Sequence, residues 1–295
     1  MVRYKPGQAG IALLSAILIT LTATAIIVAI THEEAFSIRK TSRILLMDRA
    51  GLYAMGLEDW ARIFLQKDRK DSNIDHLDED WAIGVPGLPI ENGLLSGYIE
   101  DEQSRFNINN LLASEEWLNR FKRLCNNLEV DTTFIPALMD WIDEDFEVRY
   151  PDGAEEHYET YRVANRAMVD ISELMLVKHV TPEIYASLEP YITALPTATN
   201  INVNTISDAI FVSLGEDLSA DSFNEERDKE EFSSIQNFID RLQIPIEESG
   251  LSVSTEYFHA YGQVSQGDLT INLDSLVHRA ENGKTRVIKR TLGQL

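Results

Sequence analysis

Residues Ala9 to Ile30 read AGIALLSAILITLTATAIIVAI, and no charged residue occurs from Pro6 through Thr31. An α-helix of about 20 apolar residues matches a hydrocarbon core about 30 Å thick. Arg3 and Lys5 precede the run, and Glu33 and Glu34 follow it. Basic flanks stay cytoplasmic, which places the first residues inside and everything past Thr31 outside. The stretch predicts a membrane-anchored chain with a large exported part.

A cleaved secretory signal would have a shorter apolar region followed by a polar mature start. Here the helical rhythm continues instead: Leu46, Ala50, Tyr53, Leu57, Trp60 and Phe64 recur at three- and four-residue intervals, the spacing of one helix face. No proline interrupts Ile11 through Leu65, and Gly51 and Gly56 weaken a helix without forbidding it. A single rod of about 80 Å follows, in lipid at its first half and packed on a globular part at its second.

Composition narrows the function classes. The 295 residues carry a net charge of −22, which repels nucleic acid and anionic lipid surfaces and favours cations or basic partners. Cys125 is the only cysteine, so no intrachain disulfide and no multi-cysteine zinc site can form; it reads as a small buried hydrophobe. The six histidines are dispersed, with no H-E-x-x-H spacing, and no G-x-S-x-G, P-loop or G-x-G-x-x-G occurs, so the chain reads as non-enzymatic.

Along the chain, Gln66 to Asp80 is an acidic surface connection, turns follow at Gly84 to Pro89, and Leu94 to Ile99 is a strand candidate. From about Asn107 the pattern turns helical. Ser114 caps a helix carrying Trp117, Leu118, Phe121, Leu124 and Leu128. Further helices are read at Thr133 to Trp141, near Ser172, after the Thr181 cap, over Ser207 to Leu214 behind Thr205, and at Phe232 to Leu242. Glu216 to Glu231 reads as a solvated loop or exposed helix face, and Asn202 and Asn204 as capping and turn residues. Leu251 to Gln263, Asp268 to Ala280 and Lys284 to Thr291 are β-like, the last two separated by Glu281-Asn282-Gly283, a hairpin signal.

A basic leader, MVRYKPGQAG, stands ahead of the apolar helix. Leader, terminal glycine and long apolar helix together resemble the signal of type IV pilins and pseudopilins. The resemblance implies cutting by the prepilin peptidase between Gly10 and Ile11, N-methylation of Ile11, and retention of the anchor. Most pilins place a glutamate at the fifth mature position, thought to pair with a neighbouring subunit's N-terminal amine; here it is Ser15. A carboxylate in the bilayer needs a partner, whereas a serine can bond the carbonyl of Ile11. A subunit lacking the glutamate needs no neighbour beyond it, as at a filament tip. That absence resembles the minor pseudopilin K family of type II secretion. DEQSRFNINNLL (Asp101 to Leu112), the acidic loop after Asp140, Tyr161 to Asn165 with Asp170 to Leu174, and INVNTISDAI (Ile201 to Ile210) resemble that family's segments in order.

In the acidic loop, Asp140, Asp143, Glu144, Asp145, Glu147, Asp152, Glu155 and Glu156 crowd together with Arg149 as the only cation. Folded closely they would repel one another unless a divalent ion joined them; calcium takes six to eight oxygens. The loop is no EF-hand: counted from Asp143, position six is Val148 and position twelve Ala154. A solvated acidic loop is the plain alternative, and His157 beside it reads as a surface residue. The resemblance implies calcium here, with Asp143, Asp145, Glu155 and Glu156 as ligands.

The expected architecture is α+β: a type IV pilin-like fold whose long N-terminal helix, first half transmembrane, packs on a small antiparallel sheet, with a large inserted all-α domain. The expected division is a leader at 1–10, a transmembrane helix at 11–31, the first part of the core at 32–106, the insertion at 107–246 and the C-terminal strands at 247–295. The resemblance implies a minor pseudopilin that caps the pseudopilus tip and helps start its assembly. Its implied partners are other minor pseudopilins, the major pseudopilin, the prepilin peptidase, the inner-membrane secretion platform, and secreted substrates or the outer-membrane secretin. It would cross the inner membrane once, with its bulk periplasmic. A tip minor pilin of a type IV pilus and a membrane-anchored calcium-binding module are the alternatives.

Overall fold

The computed structural model describes residues 8–155, 158 and 161–294. Helix α1 (Gln8–Asp71) takes 64 of them, a rod of about 96 Å. Two strands follow, β1 (Val85–Ile90) and β2 (Gly93–Asp101), and then β3 (Phe106–Asn107), α2 (Glu115–Asn127) and α3 (Ile135–Ile142). Next come α4 (Pro182–Leu188), β4 (Ile192–Thr193), β5 (Ile201–Asn202), α5 (Asp208–Ser213), α6 (Ala220–Arg227) and α7 (Ile235–Leu242). The chain ends with β6 (Leu251–Ser252), β7 (Tyr257–Gln266), β8 (Leu269–Arg279) and β9 (Thr285–Gln294).

From Gly10 onward the first half of α1 is exposed. Its hydroxyls turn inward on the helix: Ser15 Oγ donates to the Ile11 carbonyl at 2.9 Å, and Thr20, Thr22, Thr24 and Thr31 donate one turn back in the same way. Each of these hydroxyls is thereby satisfied within the helix itself. The second half has a partner. Ala50, Ala54, Leu57, Ala61 and Leu65 are all buried and share one face by their spacing.

That face lies on a five-stranded antiparallel sheet of order β1-β2-β7-β8-β9. Leu95, Ile99, Phe258, Ala260, Val264, Ile271, Leu273 and Val277 are among its buried side chains. Glycine is required where Leu57 crosses the central strands. A Cβ on Gly262 would lie 2.7 Å from Leu57 Cδ1, and one on Gly97 would lie 2.8 Å from the Tyr261 carbonyl oxygen. Gly283 closes the β8–β9 hairpin with φ +79°, a conformation glycine adopts without strain.

β2 and β7 pair from Gly93↔Gln266 to Asp101↔Phe258, although the whole helical body is threaded between them. That body has an aromatic core of its own: Phe106, Phe121, Phe134, Phe211, Phe223, Phe232 and Phe238 are fully buried, with Phe211 stacked on Phe223 at 4.3 Å. Cys125 lies in the same core, and burial pushes its thiol up to about 12.

The acidic stretch from Glu216 forms α6, the exposed helix face expected of it, with its Phe223 turned into the core. Three local expectations are corrected. The turns expected over Gly84 to Pro89 are instead the edge strand β1, paired with β2. Thr205 does not cap α5. Ser207 does, accepting from Ile210 N–H, while the Thr205 hydroxyl donates to Asp101. Leu251 does not begin a strand of the sheet. It pairs in parallel with Ile201 inside the helical body, and the sheet resumes only at Tyr257.

Polar side chains form the neck between the two parts. Asp101, fully buried, accepts from Gln103 N–H at 2.7 Å, Asn202 Nδ2 at 2.9 Å, and the Thr205 and Thr255 hydroxyls at 2.6 Å each. Asn202 also donates to the Asp75 carbonyl at 3.0 Å, so the body is seated at the end of α1 remote from its apolar half. Asn202 and Asn204 keep the expected turn role, with Asn202 Oδ1 accepting from Asn204 N–H at 3.1 Å, and both are also buried members of this network. Burial pushes the Asp101 carboxyl up to about 6 against these donors.

Candidate functional site

Two features carry the expected function. The first is the start of α1, where Gly10, Ile11 and Ser15 lie on one exposed, continuous helix. Beyond the apolar half, Ile38, Ile44, Leu45, Leu52, Met55 and Ile63 remain exposed on the faces the sheet does not cover. Apolar side chains in such number on one rod form the kind of exposed surface that marks an interaction site.

The second is the acidic loop that leaves α3. Asp140 is fully buried and organises it, accepting from Arg149 N–H, Arg149 Nη1 at 3.1 Å and Ala154 N–H at 2.9 Å. A Cβ on Gly153 would lie 2.3 Å from Asp140 Oδ2, so only glycine lets the chain close on that carboxylate. Around this centre Asp143, Asp145 and Glu155 each bring a carboxylate oxygen within 4.8 Å of the others. Asp143 and Glu155 are buried; Asp145 is exposed and accepts from Glu147 N–H at 2.8 Å. The fourth expected ligand, Glu156, lies outside the described residues, as does His157.

Among the described residues, three buried oxygens here have no hydrogen-bond donor: Asp143 Oδ1, Glu155 Oε1 and Asn165 Oδ1. Buried acceptors are ordinarily paired, and an all-oxygen set of carboxylates and an amide carbonyl is the kind a hard divalent cation takes. The donor set therefore fits calcium. Asn165 escaped the sequence reading as a ligand; it reaches the loop from the far side, donating to the Asp145 carbonyl at 2.6 Å, with φ 44°. Burial, followed by the Asp140 and Asp145 charges, holds the Glu155 carboxyl above its ordinary value.

A second acidic group, Asp68, Asp75 and Glu79, was also not singled out by sequence. It contains its own cation: Arg279, 1% exposed, pairs with Asp68 and Asp75. Burial and the neighbouring Glu79 push Asp68 up to about 7. This group joins α1 to β8 and reads as structural. At the boundary of sheet and helical body, His259 stands between Glu102 and Asp274. Burial opposes its charged form, but the bonds to those carboxylates outweigh it and hold the imidazole up at about 9.

Comparison with known proteins shows the family. The family model described as type II secretion system (T2SS), protein K, matches residues 104–197. The chain is 31% identical to type II secretion system protein K of Pseudomonas aeruginosa, with 98% of this chain and 94% of the relative covered. It is 27% identical to the protein of that name from Aeromonas hydrophila, with 97% of each covered. Among solved structures, a chain of the GspK-GspI-GspJ complex from the enterotoxigenic Escherichia coli type 2 secretion system superposes with a TM-score of 0.79 at 23% identity. That match covers 87% of this chain and 100% of the other, and shares its fold. The chain belongs to the type II secretion system protein K family, the minor pseudopilins of that machinery.

Proposed function

We propose that this chain caps the tip of the pseudopilus and helps initiate its assembly. The observation that carries the reading is the seating of the helical body on the end of α1 remote from the apolar half, through Asp75, Asp101 and Asn202. In a stack of rod-like subunits a body at that end leaves no room for a further subunit above. Ser15 agrees with it, since a hydroxyl bonded to its own helix asks for no partner charge, unlike a carboxylate in the bilayer.

On this reading the leader is cut between Gly10 and Ile11 by the prepilin peptidase, and Ile11 is methylated. The anchor stays in the inner membrane, with the rest of the chain periplasmic. The exposed apolar faces of α1 receive the helices of other minor pseudopilins, of the kind named in the solved complex, and of the major pseudopilin below. The secretion platform, secreted substrates and the secretin complete the set of partners. Calcium belongs to the acidic loop, where Asp143, Asp145 and Glu155 with Asn165 would hold it, joined by Glu156 as the family resemblance implies. It would bring carboxylates together that otherwise repel, fixing the loop without redox or proton chemistry. The relatives from Pseudomonas aeruginosa and Aeromonas hydrophila are type II secretion proteins, which favours that machinery over a type IV pilus.

The test is complementation of a strain lacking the gene. Wild-type protein should restore export of folded proteins and yield short pseudopili with this subunit only at their ends, seen by immunogold labelling. Labelling along the shafts, or normal export without the protein, would overturn the capping role.

A further inference from the structure

We propose that Arg149 is an internal competitor for the divalent cation of the acidic loop, its guanidinium holding Asp140 and Asp143 until the ion replaces it. The inference rests on the reading of that loop as a cation site. Arg149 is the only basic residue between Asp143 and Glu155, and its Nη1 pairs with both Asp140 and Asp143. The Asp143 carboxylate is thereby divided. Oδ2 belongs to Arg149, while Oδ1 is buried without a donor beside the equally unpaired Glu155 Oε1 and Asn165 Oδ1. One carboxylate thus faces the guanidinium on one side and the acceptor cluster on the other. A divalent ion bound to that carboxylate would stand within a few ångströms of a like charge, where repulsion is strong in a partly buried setting.

The guanidinium can leave without dismantling the loop. Its side chain is 33% exposed, and the neighbouring Phe146 and Tyr150, 80% and 88% exposed, do not pack over its exit. The backbone stays in place by other bonds: Arg149 N–H donates to Asp140, and Gly153 N–H donates to the Arg149 carbonyl at 2.6 Å. In the ion-free protein the arginine therefore neutralises the buried carboxylates and keeps the loop folded. The cost is affinity: a site available a tenth of the time binds about tenfold more weakly than its intrinsic constant.

The experiment is calorimetric titration of calcium chloride into the full chain in detergent, comparing wild type with Arg149→Gln, which keeps the backbone bonds. The expected result is binding about tenfold tighter in the variant. Equal or weaker binding by the variant, with wild type still binding, overturns the competitor role and leaves the cation site standing. No calcium binding by either overturns the cation site and this inference with it. Should Arg149→Gln lose its fold by circular dichroism, phenylglyoxal labelling of wild type decides. Modification of Arg149, read by peptide mass spectrometry, should rise severalfold on adding calcium, and an unchanged or reduced rate would refute the displacement.

Discussion

Asp101, the last residue of β2, and Thr255, two residues before β7, are joined by a 2.6 Å hydrogen bond across 154 residues of chain. The helical body leaves and re-enters the sheet at that bond, and Asn202 and Thr205 from inside the body share the same carboxylate oxygen. Replacing Asp101 with alanine would remove the acceptor shared by Gln103 N–H, Asn202 and the Thr205 and Thr255 hydroxyls. The expected loss is about 3 kcal/mol of stability, read as a lower melting temperature of the full chain in detergent. A change within error would mean that the neck is not held by this carboxylate.

His259 makes stability depend on alkaline pH. Its folded value, about 9, lies above its ordinary 6.5, so its contribution is fully present below about 6.5 and is lost as pH rises through about 9. On the order of 2 kcal/mol is at stake. Melting temperature should fall over that window in wild type and fall less in His259→Asn. Parallel curves would remove the ion pairs with Glu102 and Asp274 from the account.

Leu57 crosses the sheet where Gly97 and Gly262 face each other. Gly262→Val would drive side-chain atoms into Leu57 and lift α1 from β7. Overpacking of this kind costs about 1–3 kcal/mol, and the double variant Gly262→Val with Leu57→Ala should recover part of it. Thermal unfolding of the three proteins checks this, and a neutral Gly262→Val would contradict the close seating.

Much of this was legible locally. The apolar run, the heptad-like continuation to Phe64 and the Asn282-Gly283 hairpin belong to single stretches of chain, and the α+β architecture with a long helix on an antiparallel sheet is the one the chain adopts. What escaped depends on long-range pairing. Nothing near Thr205 announces that its hydroxyl reaches Asp101, 104 residues away, so the side chain reads as a helix cap. Arg279 looks like the end of a strand, yet it neutralises Asp68 and Asp75 more than 200 residues earlier. In the acidic loop the carboxylates were plain by composition, whereas Asn165, a neutral residue 10 positions beyond Glu155, has no charge to mark it.

Calcium should stabilise the chain through that loop. At a free concentration about 100 times its dissociation constant, an ion bound only by the folded state adds about 2.7 kcal/mol. Melting temperature should rise with calcium and return with a chelator. The double variant Asp143→Ala and Glu155→Ala should not respond. An equal response would move the ion elsewhere.

On the proposed reading the chain is a pilin-type subunit whose apolar helix is kept after its leader is removed. Mass spectrometry of the protein extracted from membranes, with and without the prepilin peptidase, tests it directly. The account predicts a mature chain beginning at methylated Ile11 only when the peptidase is present. A chain left uncut in its presence, or cut beyond Thr31, would contradict it.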